Sequence, residues 1–370
     1  MDPRGTPNPT ETRLRDALRQ DIKRPDLWSS VKRDFADVRE FYIDSEKKSR
    51  LDDMGWLKGT IYLLWWMLKS MILKLTPARR LLLLMGALFV LAGQTVHVND
   101  SSTVTYNWHM LGGIILVFVL MLELKDKLLA RDELEAGRKV QKALTPEPSP
   151  SIPGWSLWLY TRPANDVGGD LVDHLRIGPE RHGLVLGDVA GKGLKAALLM
   201  AKLQATLRAL APDYPAISAL ASKVNEIFHR DSLPNVFASM LYGELDTSAY
   251  RIRFVNAGHL PPIILNSSGI KEMAKGEPAL GLMDVARYTE QTVEMQTGDV
   301  FVAYSDGLTE ARNLQGEFYG TERFFRLLKT LARRSAQQIG QAIAADVEQF
   351  VGEARPHDDI SMIIVERDER

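Results

Sequence analysis

The chain has 370 residues, 45% of them hydrophobic and 25% charged, with 46 basic side chains against 47 acidic ones. A formal net charge of −1 gives no argument for nucleic acid as a partner, and zero cysteines exclude disulfides, thiolate nucleophiles and cysteine-held zinc. The length suits two or more domains, and the polar, charged opening residues predict no cleavable signal peptide.

Residues 1–56 are highly charged and are expected to form short cytoplasmic helices with no assigned chemistry. Residues 57–78 contain the apolar stretch Ile61–Leu75, interrupted by Lys69 and Lys74 and carrying Trp65 and Trp66 in its middle. Internal lysines and interfacial tryptophans predict a helix lying on a membrane surface; a third span is the alternative. Residues 79–124 hold two apolar runs, Leu81–Val98 and Trp108–Leu124, each close to the roughly 20 residues of a spanning helix. A buried core helix would explain one such run; two so close together predict a transmembrane hairpin. Arg79, Arg80, Lys125, Lys127 and Arg131 flank the pair, and residues 99–107 between them contain no Lys or Arg. The positive-inside rule then puts both chain ends in the cytoplasm, as in a multi-pass protein of the cell inner membrane.

Residues 125–145 are rich in helix formers and continue the second run as a linker. Ala130, Leu134, Gly137, Gln141 and Leu144 recur by four and three, as along a coiled-coil seam, which suggests a homodimer. An ordinary charged connecting helix fits the same residues. Thr145–Pro153 (TPEPSPSIP) then breaks the helix and opens a last domain, 146–370.

In that domain Trp155–Thr161, Leu171–Ile177 and Gly183–Val189 read as strands, followed by helices at Leu194–Leu210 and Ile217–His229. Phe237–Leu245, Arg251–Asn256 and Ile263–Asn266 read as a meander, and Val300–Tyr304 as a further strand. Helices at Glu322–Ala332 and Ala336–Val351 precede a closing strand, Ile360–Val365. Strand groups followed by paired helices predict an α+β layered domain with antiparallel sheets.

Four acidic signatures punctuate these elements: Val167–Asp170 (VGGD), Gly187–Gly193 (GDVAGKG), Ser305–Gly307 (SDG) and His357–Asp359 (HDD). Each puts an aspartate at a strand end or glycine turn, where an unpaired charge need not be buried. Brought together, they would form a cage of oxygen ligands for hard divalent cations. Gly187–Gly193 is not a phosphate loop, because Lys192 is followed by Gly193 and an acid sits inside the turn. On its own it is also compatible with a tight turn bearing a solvated acid.

Together with PANDVGGDLVD (163–173), LGDVAGKGLKAALLMA (186–201), FVNAGHLPPIIL (254–265), AYSDGLTEA (303–311) and HDDISMIIV (357–365), these signatures resemble the bacterial SpoIIE-like branch of the PPM (PP2C-type) serine/threonine phosphatases. The resemblance runs from about Pro146 to Glu366. It implies a PP2C-like β-sandwich flanked by helices in αββα layers, with two divalent cations, Mn²⁺ or Mg²⁺, at one edge. It further implies that Asp188 bridges the cations with help from the Val189 carbonyl, that Asp170 serves one side, and that Asp306 and Asp358, with Asp359 beside it, complete the other. Water activated between the cations would hydrolyse phosphoserine or phosphothreonine. By the same resemblance the substrate is a phosphorylated STAS-type protein, an anti-sigma-factor antagonist. Ala190 stands where eukaryotic PPM enzymes commonly have a histidine, and Asn165 where they have a phosphate-binding arginine. His259 is expected to be a structural hydrogen-bonder, and Lys192 either to meet substrate phosphate or to be solvated. A pseudophosphatase, and a nucleotidyl transferase or cyclase, are the rival readings; the second lacks a nucleotide-binding loop.

Overall fold

The computed structural model describes residues 56–368, apart from 93, 100, 101, 232, 234 and 235. The helices expected within residues 1–55 therefore lie outside the described residues. The chain divides into two compact units, Met1–Lys127 and Leu128–Arg370.

The first unit contains α1 (Trp56–Lys74), α2 (Pro77–Ala92), a hairpin of β1 (Gln94–Asn99) and β2 (Ser102–Asn107), and the start of α3 (Trp108–Leu144). Gly112 lets α3 approach α2 closely, since a side chain there would meet the Gly86 carbonyl at 2.6 Å. Arg79 on α2 pairs with Glu123 and Asp126 on α3, each at 2.7 Å. Among the described residues no helix is long and apolar enough to cross a membrane. This corrects the expected transmembrane hairpin and the multi-pass inner-membrane placement built on it. The physical reason is length. Helix α2 has 16 residues, about 24 Å against a hydrocarbon core of about 30 Å. The residues counted as the end of the first span instead belong to β1, whose register with β2 runs from Gln94↔Asn107 to Asn99↔Ser102. The apolar start of α3 runs without a break into a charged helix of 37 residues.

The second unit is built on two five-stranded antiparallel sheets. One has the order β10–β7–β6–β5–β4, from β4 (Asp170–Arg176), β5 (Arg181–Val189), β6 (Ala238–Asp246), β7 (Arg251–Ala257) and β10 (Gln291–Glu294). The other has the order β3–β12–β11–β8–β9, from β3 (Trp155–Arg162), β8 (Ile263–Asn266), β9 (Gly269–Glu272), β11 (Val300–Tyr304) and β12 (Ile360–Arg367). Side chains alternate across each sheet, and here both faces are covered. On β12, Ile363 and Val365 point between the sheets, while Met362 and Ile364 point to the outer helices. On β5, Leu184 and Leu186 face the inter-sheet core and Val185 the opposite side. This makes such strands continuous apolar runs.

Helices α4 (Leu194–Leu210) and α5 (Ile217–Asp231) cover the first sheet through Leu203, Leu207, Leu220 and Phe228. Helices α7 (Thr321–Thr330) and α8 (Ala336–Val351) cover the second through Phe324, Leu328, Ile339 and Ile343. The α+β, αββα expectation is met. Helix α6 (Asp306–Thr309) is one turn after β11.

The C-terminal part of α3 packs on this unit with the face read as a coiled-coil seam. The Gln141 side-chain amide grips Gly168, donating to its carbonyl (2.8 Å) and accepting from its N–H (3.0 Å). Gln204 donates to the Leu144 carbonyl at 2.9 Å. At Gln141 and Leu144, the C-terminal end of that face, contacts are thus made within the chain.

Candidate active site

Strand direction gathers the four acidic signatures at one edge of the sandwich. Asp170 opens β4 and pairs with Asp188 near the end of β5. Asp306 follows the end of β11, and Asp358 and Asp359 precede β12, which runs antiparallel to β11. Segments some 190 residues apart in sequence therefore meet, as shown by Asp359 Oδ2 accepting from the Gly169 N–H at 2.6 Å.

The turn after β5 is shaped by glycine. Gly191 and Gly193 have φ of 122° and 71°, values that favour glycine, and Gly193 leads directly into α4. After β11, Ser305 ties its strand to β12: its N–H donates to the Ser361 carbonyl (2.9 Å), and its hydroxyl accepts from the Ser361 N–H (3.0 Å).

The carboxylates crowd one another. Burial, with further repulsion from Asp306, Asp358 and Asp359, pushes the Asp188 carboxyl up to about 7. Burial and the neighbouring Asp188 hold Asp170 well above the usual carboxylate range. Asp306 is raised by partial burial, then by Glu310 and Asp358. Asp170 Oδ2 is buried and has no hydrogen-bond partner among the described residues. Like charges so close together favour protonation or a bound cation. Among the described residues no three acidic or histidine side chains converge closely enough to enclose an ion as they stand.

Two neighbours behave differently from their sequence pattern. Asp359 is buried and engaged: Oδ1 accepts from the Ala164 N–H (2.7 Å), and Oδ2 from the N–H groups of Gly169 (2.6 Å) and Asp170 (3.3 Å). A side chain at Gly168 would meet Asp359 Oδ2 at 2.5 Å, so the glycine makes room for that clamp. Lys192 is neither merely solvated nor aimed into open space: its ammonium pairs with Asp358 Oδ2 at 3.0 Å and donates to the His357 carbonyl at 2.7 Å. Asn165 is exposed on the loop before Asp170.

A cavity of about 550 Å³ opens beside Asp188 and Asp306, lined also by Ala190, Ser239, His259 and Lys275. His259 is buried, and its Nδ1 lies 2.8 Å from Ser239 Oγ. Ser239 was not singled out by sequence reasoning. Only the β5–β6 register, which sets it opposite Asp188, brings it to the site.

The comparisons with known proteins agree with this geometry. The family described as Stage II sporulation protein E (SpoIIE) matches residues 178–368. Protein IcfG of Synechocystis sp. is 30% identical over 275 residues, covering 66% of this chain and 43% of IcfG. Phosphoserine phosphatase RsbU of Bacillus subtilis is 23% identical, covering 64% of this chain and 70% of RsbU. Phosphoserine phosphatase RsbP of the same organism is 25% identical, covering 50% and 47%. The chain thus spans less than half the length of IcfG and of RsbP. In fold, the SiaA-PP2C domain of Pseudomonas aeruginosa superposes with a TM-score of 0.56 at 20% identity, covering 66% of this chain and 99% of that domain. The PP2C phosphatase domain of SpoIIE from Bacillus subtilis gives 0.52 at 15% identity, covering 59% and 61%. With a family match over half its length and this PP2C fold, the chain belongs to the SpoIIE family of PP2C-type phosphatases.

Proposed function

We propose that the chain is a metal-dependent protein serine/threonine phosphatase. The observation that carries this reading is the crowded edge cluster of Asp170, Asp188, Asp306 and Asp358. Asp188 is raised to about 7 and Asp170 holds a buried, unpaired oxygen. Hard oxygen donors with unmet charge fit two divalent cations, Mn²⁺ or Mg²⁺. Asp188, centrally placed, would bridge them with the Val189 carbonyl close by. Asp170 would serve one side, Asp306 and Asp358 the other. When bound, such a pair lowers the pKa of water and neutralises charge on a phosphoryl group.

The remaining work falls to the chain itself. Asp359 holds the Ala164–Asp170 loop by three backbone amides and so fixes the entry of β4, a positioning role rather than a ligand role. Helix α3 braces the same loop through Gln141. Ala190 and Asn165 supply neither a general acid nor a phosphate-binding guanidinium, which leaves water to protonate the leaving serine or threonine oxygen. The open cavity beside Asp188 suits a phosphorylated side chain presented by a protein. Two relatives named phosphoserine phosphatases support phosphoserine as substrate. The substrate we favour is a phosphorylated STAS-type regulator of an anti-sigma-factor system.

Full-length protein with Mn²⁺ is expected to release phosphate from a phosphoserine peptide, and to stop when EDTA is added. Hydrolysis indifferent to EDTA, or absent with Mn²⁺ bound, would contradict the reading, the latter outcome favouring a pseudophosphatase. Lys192 gives a further expectation. Its ammonium competes with a cation for Asp358, so Lys192→Met should bind Mn²⁺ more tightly by up to about fivefold, the scale of a half-exposed ion pair. Calorimetric titration measures this; weaker binding would mean that Lys192 holds Asp358 ready instead.

A further inference from the structure

The Ser239–His259 pair lines the cavity beside Asp188. Its construction is local and rigid. Asn256, fully buried, accepts from the His259 N–H (2.8 Å) and donates to the His259 carbonyl (3.0 Å). Gly258 adopts φ 71° and presses on Ala279, where a side chain would come within 2.6 Å of the backbone N. These contacts fix the backbone that carries the ring, between strands β7 and β8. Ser239, on β6, is the direct cross-strand partner of Asp188 on β5, so both side chains stand on one face of the sheet about 5 Å apart. Both line the cavity, and Ser239 is half-buried.

Burial pushes the His259 ring down to about 4, against a smaller opposing pull from the Tyr304 backbone carbonyl. The ring is therefore neutral at physiological pH, with its one proton on either Nδ1 or Nε2. Nε2 is buried with no hydrogen-bond partner among the described residues; in the tautomer that carries its proton there, Nδ1 accepts from the Ser239 hydroxyl at 2.8 Å. The Oγ lone pairs are then left for the cavity.

We infer that Ser239 is a further catalytic residue, whose oxygen accepts a hydrogen bond from the attacking water beside Asp188, and that His259 is its positioning residue. This rests on the phosphatase reading. In that pose one water proton stays hydrogen-bonded to Ser239 Oγ and the other would pass to a carboxylate as the water oxygen bonds to phosphorus and the phosphorus–serine oxygen bond breaks, the departing oxygen taking its proton from solvent water. His259 takes no proton in this arrangement; it sets the direction of the serine hydroxyl.

The test uses the full chain with Mn²⁺ on a phosphoserine peptide and on p-nitrophenyl phosphate, with Mn²⁺ affinity measured in parallel by calorimetry. Ser239→Ala is expected to lower kcat roughly 10- to 100-fold, the scale of a misoriented reactant, with KM and Mn²⁺ affinity unchanged. Ser239→Thr should restore most of it. His259→Asn, which keeps an acceptor at the Nδ1 position, should stay within about threefold of the parent, whereas His259→Leu should match Ser239→Ala. An active parent with unimpaired Ser239→Ala overturns the inference while leaving the phosphatase reading intact. So does a loss of activity that tracks a loss of Mn²⁺ affinity. A parent inactive on both substrates with Mn²⁺ bound overturns the phosphatase reading, and the inference falls with it.

Discussion

Asp188→Asn should abolish phosphatase activity and, in the same protein, stabilise the metal-free fold. The two effects have one cause. Asp188 is the carboxylate most surrounded by others, with Asp306, Asp358 and Asp359 all raising it beyond what burial alone does. Its charge is costly without a cation and, in the proposed site, needed to hold one. Losing a partner that merely orients a ligand costs roughly 10- to 100-fold in metal affinity or activity, so losing the carboxylate proposed to bridge the cations should exceed about 100-fold. Asparagine keeps the shape and removes the charge.

The pH dependence follows from the same shifts. Asp188, Asp170 and Asp306 all lie above their ordinary range in the fold, so between about 4, the ordinary carboxylate value, and about 7 the folded chain holds more protons than the unfolded one. Stability of the metal-free protein therefore falls as pH rises through that window. Thermal unfolding in EDTA should show a lower Tm at pH 8 than at pH 5, from these groups. Mn²⁺ should raise the pH 8 value, and Asp188→Asn should flatten the slope. A metal-free Tm that rises between pH 5 and 7, or a destabilised Asp188→Asn, would contradict the crowding described at this edge.

The second large effect is expected at Gly307. It sits in the one-turn helix α6 next to Asp306, and an added methyl would collide with the Asp359 backbone carbonyl. That carbonyl is also an acceptor for the Ser305 hydroxyl at 3.2 Å, so it cannot retreat without loosening the β11–β12 junction. Gly307→Ala should therefore cost about 1–3 kcal/mol of stability, as overpacking does, measurable by urea denaturation. It should also move Asp306 relative to Asp188. A misplacement near 1 Å is enough for roughly a 100-fold loss of rate. Unchanged stability together with unchanged Mn²⁺ affinity would mean that the turn has slack which its contacts do not show.

Much of the catalytic unit was legible because its strands are buried on both faces. Val300–Tyr304 (VFVAY) is apolar throughout since alternate residues feed two different cores, and its bounds agree with the sequence reading. Helix α8 was equally plain, with its capping box at Ser335 and Gln338. Edge strands β9 and β10 were not legible: GIKE and QTVE are short, polar and half exposed. The hairpin β1–β2 was masked by the opposite problem. Its Thr- and Val-rich residues continue an apolar run, and only pairing with a strand beyond the turn distinguishes them from the end of a span.

At the site, residue type was legible and role was not. Asp358 and Asp359 are adjacent acids in one signature, yet the first pairs with Lys192 and the second is taken up by three backbone amides. Nothing local to HDD distinguishes them; the amides come from residues 164–170. Gln141 falls on the seam spacing, yet its partner is a backbone peptide rather than another helix. Ser239 had no signature at all, because its place beside Asp188 depends on strand register.

The central claim is that the edge carboxylates hold two divalent cations with Asp188 between them. Crystals grown with Mn²⁺, and data collected at the manganese absorption edge, test it most directly. The account predicts two anomalous peaks about 3.5–4 Å apart, both within coordination distance of Asp188. The absence of any peak at Asp188, with manganese located elsewhere, would contradict it.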